Sequence, residues 1–300
     1  MRRLFLLTLF FSILLSSTVA WGSLSKKQAK KLICRMAGAQ LPGGAVRLKR
    51  ITETGTNAEA TAEIETAFRL VQDKQGRWHV AEVRTGQDQW EEIPLLAAAA
   101  PGKIPQEECT TSDPAPSRAA GNLSVKRARC LIAGALRIEL PSDAVRIRDV
   151  SDLGLPFSSS PSAVVTALVQ ADVRLSKDKG NWRVSDLRTG KGDWISLDAL
   201  VEGLNQEKRK RAETELATIA RALENFRKDS GFYVASDRQP VLIDHLSPRY
   251  LAQIIRLDPW HKPYQYQGER DHFLLRSNGP DGKENTGDDI VVTGSSRRPS

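Results

Sequence analysis

The chain repeats itself, and this constrains its fold more than any other feature. Leu24-Ser25 aligns with Leu123-Ser124, an offset of 99 (123 − 24). At that offset Ala29 meets Ala128, Leu32-Ile33 meets Leu131-Ile132, Leu41-Pro42 meets Leu140-Pro141, and Ala45-Val46-Arg47 meets Ala144-Val145-Arg146. The second copy gains residues around Pro156–Pro161, and the offset becomes 104 (182 − 78). Trp78 then meets Trp182, Val80 meets Val184, Arg84-Thr85-Gly86 meets Arg188-Thr189-Gly190, and Trp90 meets Trp194. Identity that persists through one register and then a shifted one marks a duplicated unit, so both copies should share a fold.

Each copy reads alike. Ala29, Leu32, Ile33, Met36 and Ala37 recur on one helical face, and Leu41-Pro42 marks the helix end because proline cannot continue it. Strands follow over 46–51 (partner 145–150), over 60–71 and over 77–84. Asp73-Lys74-Gln75-Gly76 and Lys177-Asp178-Lys179-Gly180 are hairpin turns in which Gly supplies the left-handed backbone angle. The expected class is α+β: two repeated helix-plus-antiparallel-sheet units, residues 23–96 and 123–203, joined by an Ala/Pro/Ser-rich tether at 97–122. Trp78 and Trp182 are expected between each unit's own helix and sheet. A Trp that opens an alternating strand plugs a core more often than it stacks a ligand. In shape alone the unit is similar to cystatin-like and NTF2-like domains of exported proteins, which assigns no function.

The first 22 residues read as a signal peptide. Arg2 and Arg3 precede an apolar run from Leu4 to Leu15, and small residues at Thr18-Val19-Ala20 or Ala20-Trp21-Gly22 offer a cleavage site. The run is interrupted by Thr8 and Ser12 and falls short of the roughly 20 apolar residues of a membrane span. A periplasmic or secreted protein is expected, with no transmembrane segment after cleavage. The net charge of +8 then suits contact with anionic envelope surfaces rather than nucleic acid. The basic run Lys208-Arg209-Lys210-Arg211 reads as a solvated helix start. Three cysteines, Cys34, Cys109 and Cys130, allow one disulfide in an oxidising compartment, in any of three pairings, or three free thiols.

Motifs for catalysis are missing. The four histidines, His79, His245, His261 and His272, show neither HExxH nor zinc-ligand spacing. There is no GxSxG, phosphate loop or dinucleotide fingerprint. The paired Arg-Thr-Gly triplets could hold an anion, but a strand end with Arg paired to a carboxylate is the simpler reading. A non-enzyme is expected.

The C-terminal third carries a more specific signal. Asp258-Pro259-Trp260, Pro263-Tyr264 and Gln265-Tyr266 are followed by a short apolar strand and a loop with Asp281-Gly282 and Asp288-Asp289-Ile290. Upstream lie Ala217–Phe226, helical in pattern, and Lys228-Asp229-Ser230-Gly231-Phe232-Tyr233. Over about 213–292 these residues resemble the soluble domain of the major, G-type pseudopilin of type II secretion systems. Two departures stand out. Asn205–Arg211 replaces the apolar helix half through which such subunits enter the membrane and assemble, and His261-Lys262 replaces the family's Gly-Asn. The domain is expected over 204–293, with a disordered tail at 294–300.

The resemblance implies a calcium loop. Asp281 and Asp288 correspond to its two aspartates, carbonyls near Asn278 and Ile290 would complete the shell, and Asp289 or Asn285 could substitute. The loop is not an EF-hand, since Lys283 and Thr286 break that pattern. A polar hairpin without metal is the competing reading. The function expected is an exported, non-catalytic protein: a soluble accessory or interaction partner of a secretion or pilus-like apparatus. The alternatives are a freestanding exported ligand-binding protein, or a periplasmic enzyme with a site between the repeats.

Overall fold

A computed structural model of the chain describes residues 23–99, 123–136, 145–152, 161–190 and 192–296. Residues 1–22, read as a signal peptide, most of the tether with Cys109, residues 137–144 with Leu140-Pro141, residues 153–160 with most of the second copy's insertion, and residues 191 and 297–300 lie outside these. The first copy forms α1 (Lys26–Ile33), β1 (Val46–Thr54), β2 (Asn57–Gln72), β3 (Trp78–Arg84), β4 (Trp90–Glu92) and α2 (Ile93–Ala99). The second forms α3 (Val125–Ala135), β5 (Val145–Asp152), β6 (Ser162–Asp178), β7 (Asn181–Thr189) and β8 (Ile195–Ser196), and leads into α4 (Leu197–Ser230).

All eight strands make one antiparallel sheet, ordered β4-β3-β2-β6-β7-β8, with β1 also on β2 and β5 also on β6. The copies join through β2 and β6, paired from Asn57↔Ser176 to Val71↔Ser162. In that ladder Ile64 faces Val169 and Glu65 faces Leu168. Ile64 and Leu168 are equivalent residues of the two copies, as are Glu65 and Val169. A pseudo-two-fold axis therefore passes between the two pairs, and the copies associate as an isologous dimer does.

The ladder also exchanges partners. β1 pairs the first half of β2, beside the end of β6 that carries β7. The other end of the sheet sets β5 beside the part of β2 that carries β3. Ala58, Ala60, Ala62, Ile64, Phe68 and Leu70 of β2 are buried on one face, as period-two alternation requires. Trp78 and Trp182 are buried too, at 8 % and 5 % exposure. However, Trp182 clusters with Ala29 and Ile33 of α1, and Trp78 with Ala128 and Ile132 of α3. The expectation that each Trp lies beneath its own copy's helix is corrected. Once β2 and β6 pair along their full length, each Trp hairpin is carried next to the other copy's helix and first strand.

Local details follow from local chemistry. Ser25 and Ser124 cap α1 and α3, accepting from Gln28 N at 3.1 Å and Arg127 N at 3.2 Å. α1 stops at Ile33, before Pro42, because a 3-10 turn at Met36–Gly38 puts Ala37 at φ 53° and Gly38 at φ 78°. β1 and β2 run longer than expected, joined by a two-residue turn at Gly55-Thr56. Lys179-Gly180, both at positive φ, makes the expected turn before β7. The sheet's other face is polar and cross-bonded, as for an antiparallel sheet solvated on one side. Thr61 donates to Asp172 at 2.7 Å, and Arg188 pairs with Asp172 at 2.9 Å. Arg174 and Arg188 stack on Trp194 at 3.9 and 4.5 Å.

α4 starts on the Ser196 cap and runs unbroken to a left-handed Gly231 at φ 84°, so residues 203 and 204 lie inside one helix. Ala212, Leu216, Ile219, Ala222 and Leu223 are its buried stripe in a second core. That core is shared with α5 (Gln239–Leu246) and the antiparallel sheet β11-β10-β9, formed by β9 (Gln265–Gly268), β10 (His272–Ser277) and β11 (Ile290–Ser295). The last strand thus reaches into the segment read as a tail. Among the described residues no helix is long and apolar enough to cross a membrane.

Candidate functional site

The Asp258-Pro259-Trp260 turn is organised by one buried carboxylate. Asp258 Oδ1 accepts from the backbone N–H of Trp260 at 3.0 Å and of Lys262 at 2.9 Å, and Oδ2 accepts from Ser277 Oγ at 2.6 Å. Ser277 Oγ in turn accepts from Gly279 N at 3.3 Å, so the turn is bonded to the entrance of the acidic loop. Trp260 Nε1 donates to Asn205 Oδ1 at 3.0 Å, fixing the turn against α4. Tyr264 donates to Glu215 at 2.7 Å and Tyr266 to the Val234 carbonyl at 2.6 Å. Burial pushes both phenols up, and the Glu215 carboxylate adds to the effect at Tyr264.

The acidic loop draws Asp281, Asp288 and Asp289 around the hydroxyl of Thr286. Thr286 Oγ1 lies 2.6 Å from Asp288 Oδ1 and 3.4 Å from Asp281 Oδ1 and from Asp289 Oδ1. The single hydroxyl proton goes to the nearest oxygen, on Asp288. Backbone donors hold the carboxylates: Asp281 N reaches Asp288 at 3.1 Å, Lys283 N reaches Asp281 at 2.8 Å, and Asn285 N reaches Asp289 at 2.9 Å. The Thr286 hydroxyl, then the Asp281 N–H, hold the Asp288 carboxyl below the usual carboxylate range. Gly279, at φ 59°, runs so close to Asp288 that a Cβ there would meet its carbonyl oxygen at 2.5 Å.

The sequence-derived residues Asp281, Asp288 and Asp289 are thus brought together. Thr286, noted in sequence only as a departure from the EF-hand, is the atom at their centre. The donor set is all oxygen, with the Lys283 carbonyl 3.1 Å from the Thr286 hydroxyl. At the loop's start Asn278 Oδ1 is buried without a hydrogen-bond partner. Such a set fits a hard cation. A tighter cluster lies elsewhere: Glu269, Asp271 and His272, at the β9–β10 turn, bring their donor atoms within 4.8 Å of one another.

The basic run is not a solvated helix start. It lies within α4, and Lys208 is only 4 % exposed, paired with Glu91 at 2.7 Å. Arg211 bridges Glu92 and Glu215, and Arg209 donates to the Asp288 carbonyl at 2.9 Å. These side chains bond α4 to β4 of the first copy and to the acidic loop. Hydrophobicity patterns could not reveal this, because Glu91 and Glu92, which pair with Lys208 and Arg211, lie far away in sequence. Cys34 is free and buried, with burial pushing its thiol up. Cys130 is disulfide-bonded. His245 sits over the Val241 carbonyl at 2.8 Å and His261 lies 3.9 Å from Glu91.

No curated protein and no solved structure matches the chain. The segment built around α4, the Asp258 turn and the acidic loop is a different matter: residues 199–293 match the family model described as type II secretion system (T2SS), protein G.

Proposed function

We propose that the chain is an exported, non-catalytic accessory of a secretion apparatus, in which a fused pair of repeats displays one pseudopilin-like module. The observation that carries this is the match over residues 199–293 together with the course of α4. In G-type pseudopilins the apolar half of the equivalent helix is the assembly surface. Here the helix upstream of Ala212 is tied instead to the repeats, through Lys208–Glu91 and Arg211–Glu92. The module therefore meets the apparatus through its globular face rather than by polymerising. Leu257 and Ile254, 51 % and 54 % exposed beside the Asp258 turn, are apolar residues suited to such contact.

The acidic loop is read as a calcium site. Asp281 and Asp288 supply the carboxylates, Asp289 supports them, and the ion would lock the loop against α4. The polar partners already fixing the loop leave calcium a stabilising role rather than a catalytic one.

A photo-crosslinking residue at Leu257 or Ile254 of the full chain, in cells with a working type II secretion apparatus, tests the partner. Crosslinks to an apparatus component, lost when the pseudopilus subunits are deleted, are expected. Identical products with and without the apparatus would overturn the reading.

A further inference from the structure

α1 carries charge that the fold does not use. Ala29 and Ile33 point into the core, while Lys26, Lys27, Lys31 and Arg35 are exposed and Lys30 half-buried. None of these five side chains has a hydrogen bond or ion pair among the described residues. No acidic residue occurs between Ser23 and Thr52. The nearest acid in sequence, Glu53, is engaged at the helix start, accepting from Leu24 N at 2.9 Å. Lys26/Lys30 and Lys27/Lys31 are like charges one turn apart within α1, an arrangement that destabilises a helix.

The contrast with the sheet's open face is plain. There Lys49–Glu63, Arg69–Glu82, Arg174–Glu59 and Arg188–Asp172 are all paired. Across the axis α3 repeats the basic character, with Lys126, Arg127 and Arg129. Both helices cover the same face of the sheet, because the even residues of β2 pack beneath α1 at one end and beneath α3 at the other. Lys27, Lys30, Lys31 and Arg35 also line a single open groove that includes Leu41 and holds no aromatic ring.

We propose that the helix layer of the repeat pair, centred on α1, docks on an anionic phospholipid surface. Lysines are compact, mobile charges suited to phosphate head groups, and charge spread over two helices matches an extended anionic surface better than a discrete ligand. A groove without an aromatic platform lacks the stacking surface a sugar chain would use. The docking would hold the exported chain at the bilayer without an apolar anchor, and it stands independently of the secretion role.

The test is flotation of the purified exported chain with vesicles of phosphatidylcholine alone or mixed with phosphatidylglycerol. Binding is expected only with the anionic lipid and should fade as salt rises. Each basic side chain near such a surface strengthens partition about fivefold. The variant Lys27→Gln/Lys30→Gln/Lys31→Gln/Arg35→Gln should therefore lose roughly two orders of magnitude or more. A control, Lys74→Gln/Arg221→Gln/Lys228→Gln/Arg256→Gln, removes equal charge from exposed sites elsewhere and should bind nearly as the parent does. Equal loss in both variants reduces the effect to net charge and overturns the proposal. So does equal binding to both vesicle types. Release from vesicles by a soluble anionic polysaccharide at equal charge concentration would reassign the surface to polysaccharide.

Discussion

The Ala99 carbonyl oxygen lies 2.8 Å from where a Cβ on Gly203 would stand, and these two residues are equivalents in the two copies. The pseudo-two-fold axis thus runs through a contact between a residue and its own duplicate. Only glycine lets α4 pass α2 this closely. Gly203→Ala should gain about 1 kcal/mol of helix propensity and lose about 1–3 kcal/mol to overpacking. A net fall in melting temperature is expected. An unchanged or raised melting temperature would show that the backbones can part.

The exchange of helices between copies predicts a pattern of coupling. Trp78→Ala and Trp182→Ala should each cost about 3–5 kcal/mol. Ile33→Ala should couple to Trp182→Ala, with which it shares a cluster, and add independently to Trp78→Ala. Denaturant melts of the two double-mutant cycles read this directly. Coupling to Trp78 instead would mean that each helix covers its own hairpin.

Lys208 is a buried cation with one strong partner, Glu91. Lys208→Met leaves that carboxylate without its main countercharge in a site where its side chain is 17 % exposed. A cost of about 3–5 kcal/mol is expected, largely recovered in Lys208→Met/Glu91→Leu. If the double variant melts no higher than the single one, the pair is not the source of the cost.

Calcium should raise the melting temperature of the full chain modestly. Affinity for a loop with two such carboxylates is about 10⁻⁴–10⁻³ M, so ten times Kd stabilises by about 1.4 kcal/mol. Asp281→Ala or Asp288→Ala should abolish the difference between calcium and chelator, and Asp289→Ala should reduce it less. Coincident melting curves for the parent protein in calcium and chelator would remove the site.

The loop also has an acid limit. Asp288 is held below the ordinary aspartate value of 3.8, so its contribution is complete above that value and lost as pH falls through the depressed one. Thr286→Val removes the hydroxyl donor. The carboxyl shift of Asp288, followed by NMR, should then titrate closer to 3.8. An unmoved midpoint would mean that the Asp281 N–H alone sets it.

Period-two alternation and duplicated Trp positions made the α+β class, the hairpins and the burial of Trp78 and Trp182 legible in the sequence. Which helix covers which Trp was not, because both copies carry the same helix and pattern alone cannot tell one from its duplicate. The aspartates of the loop were legible through their resemblance. Thr286 was not, since a hydroxyl becomes a hub only when the chain folds back on itself. The role of Lys208 and Arg211 was hidden because Glu91 and Glu92 reach them only through the tertiary fold.

The continuous β2–β6 ladder has a consequence for stoichiometry. Two separate copies associating this way would each project a C-terminal helix near the axis, and two modules would compete for the space there. Tandem fusion removes that conflict: in sequence α2 is followed by the Ala/Pro/Ser-rich tether and the second copy, while its duplicate, the start of α4, continues to Ser230. A twofold platform thereby presents a single, unduplicated head, which can meet a partner that has room for only one.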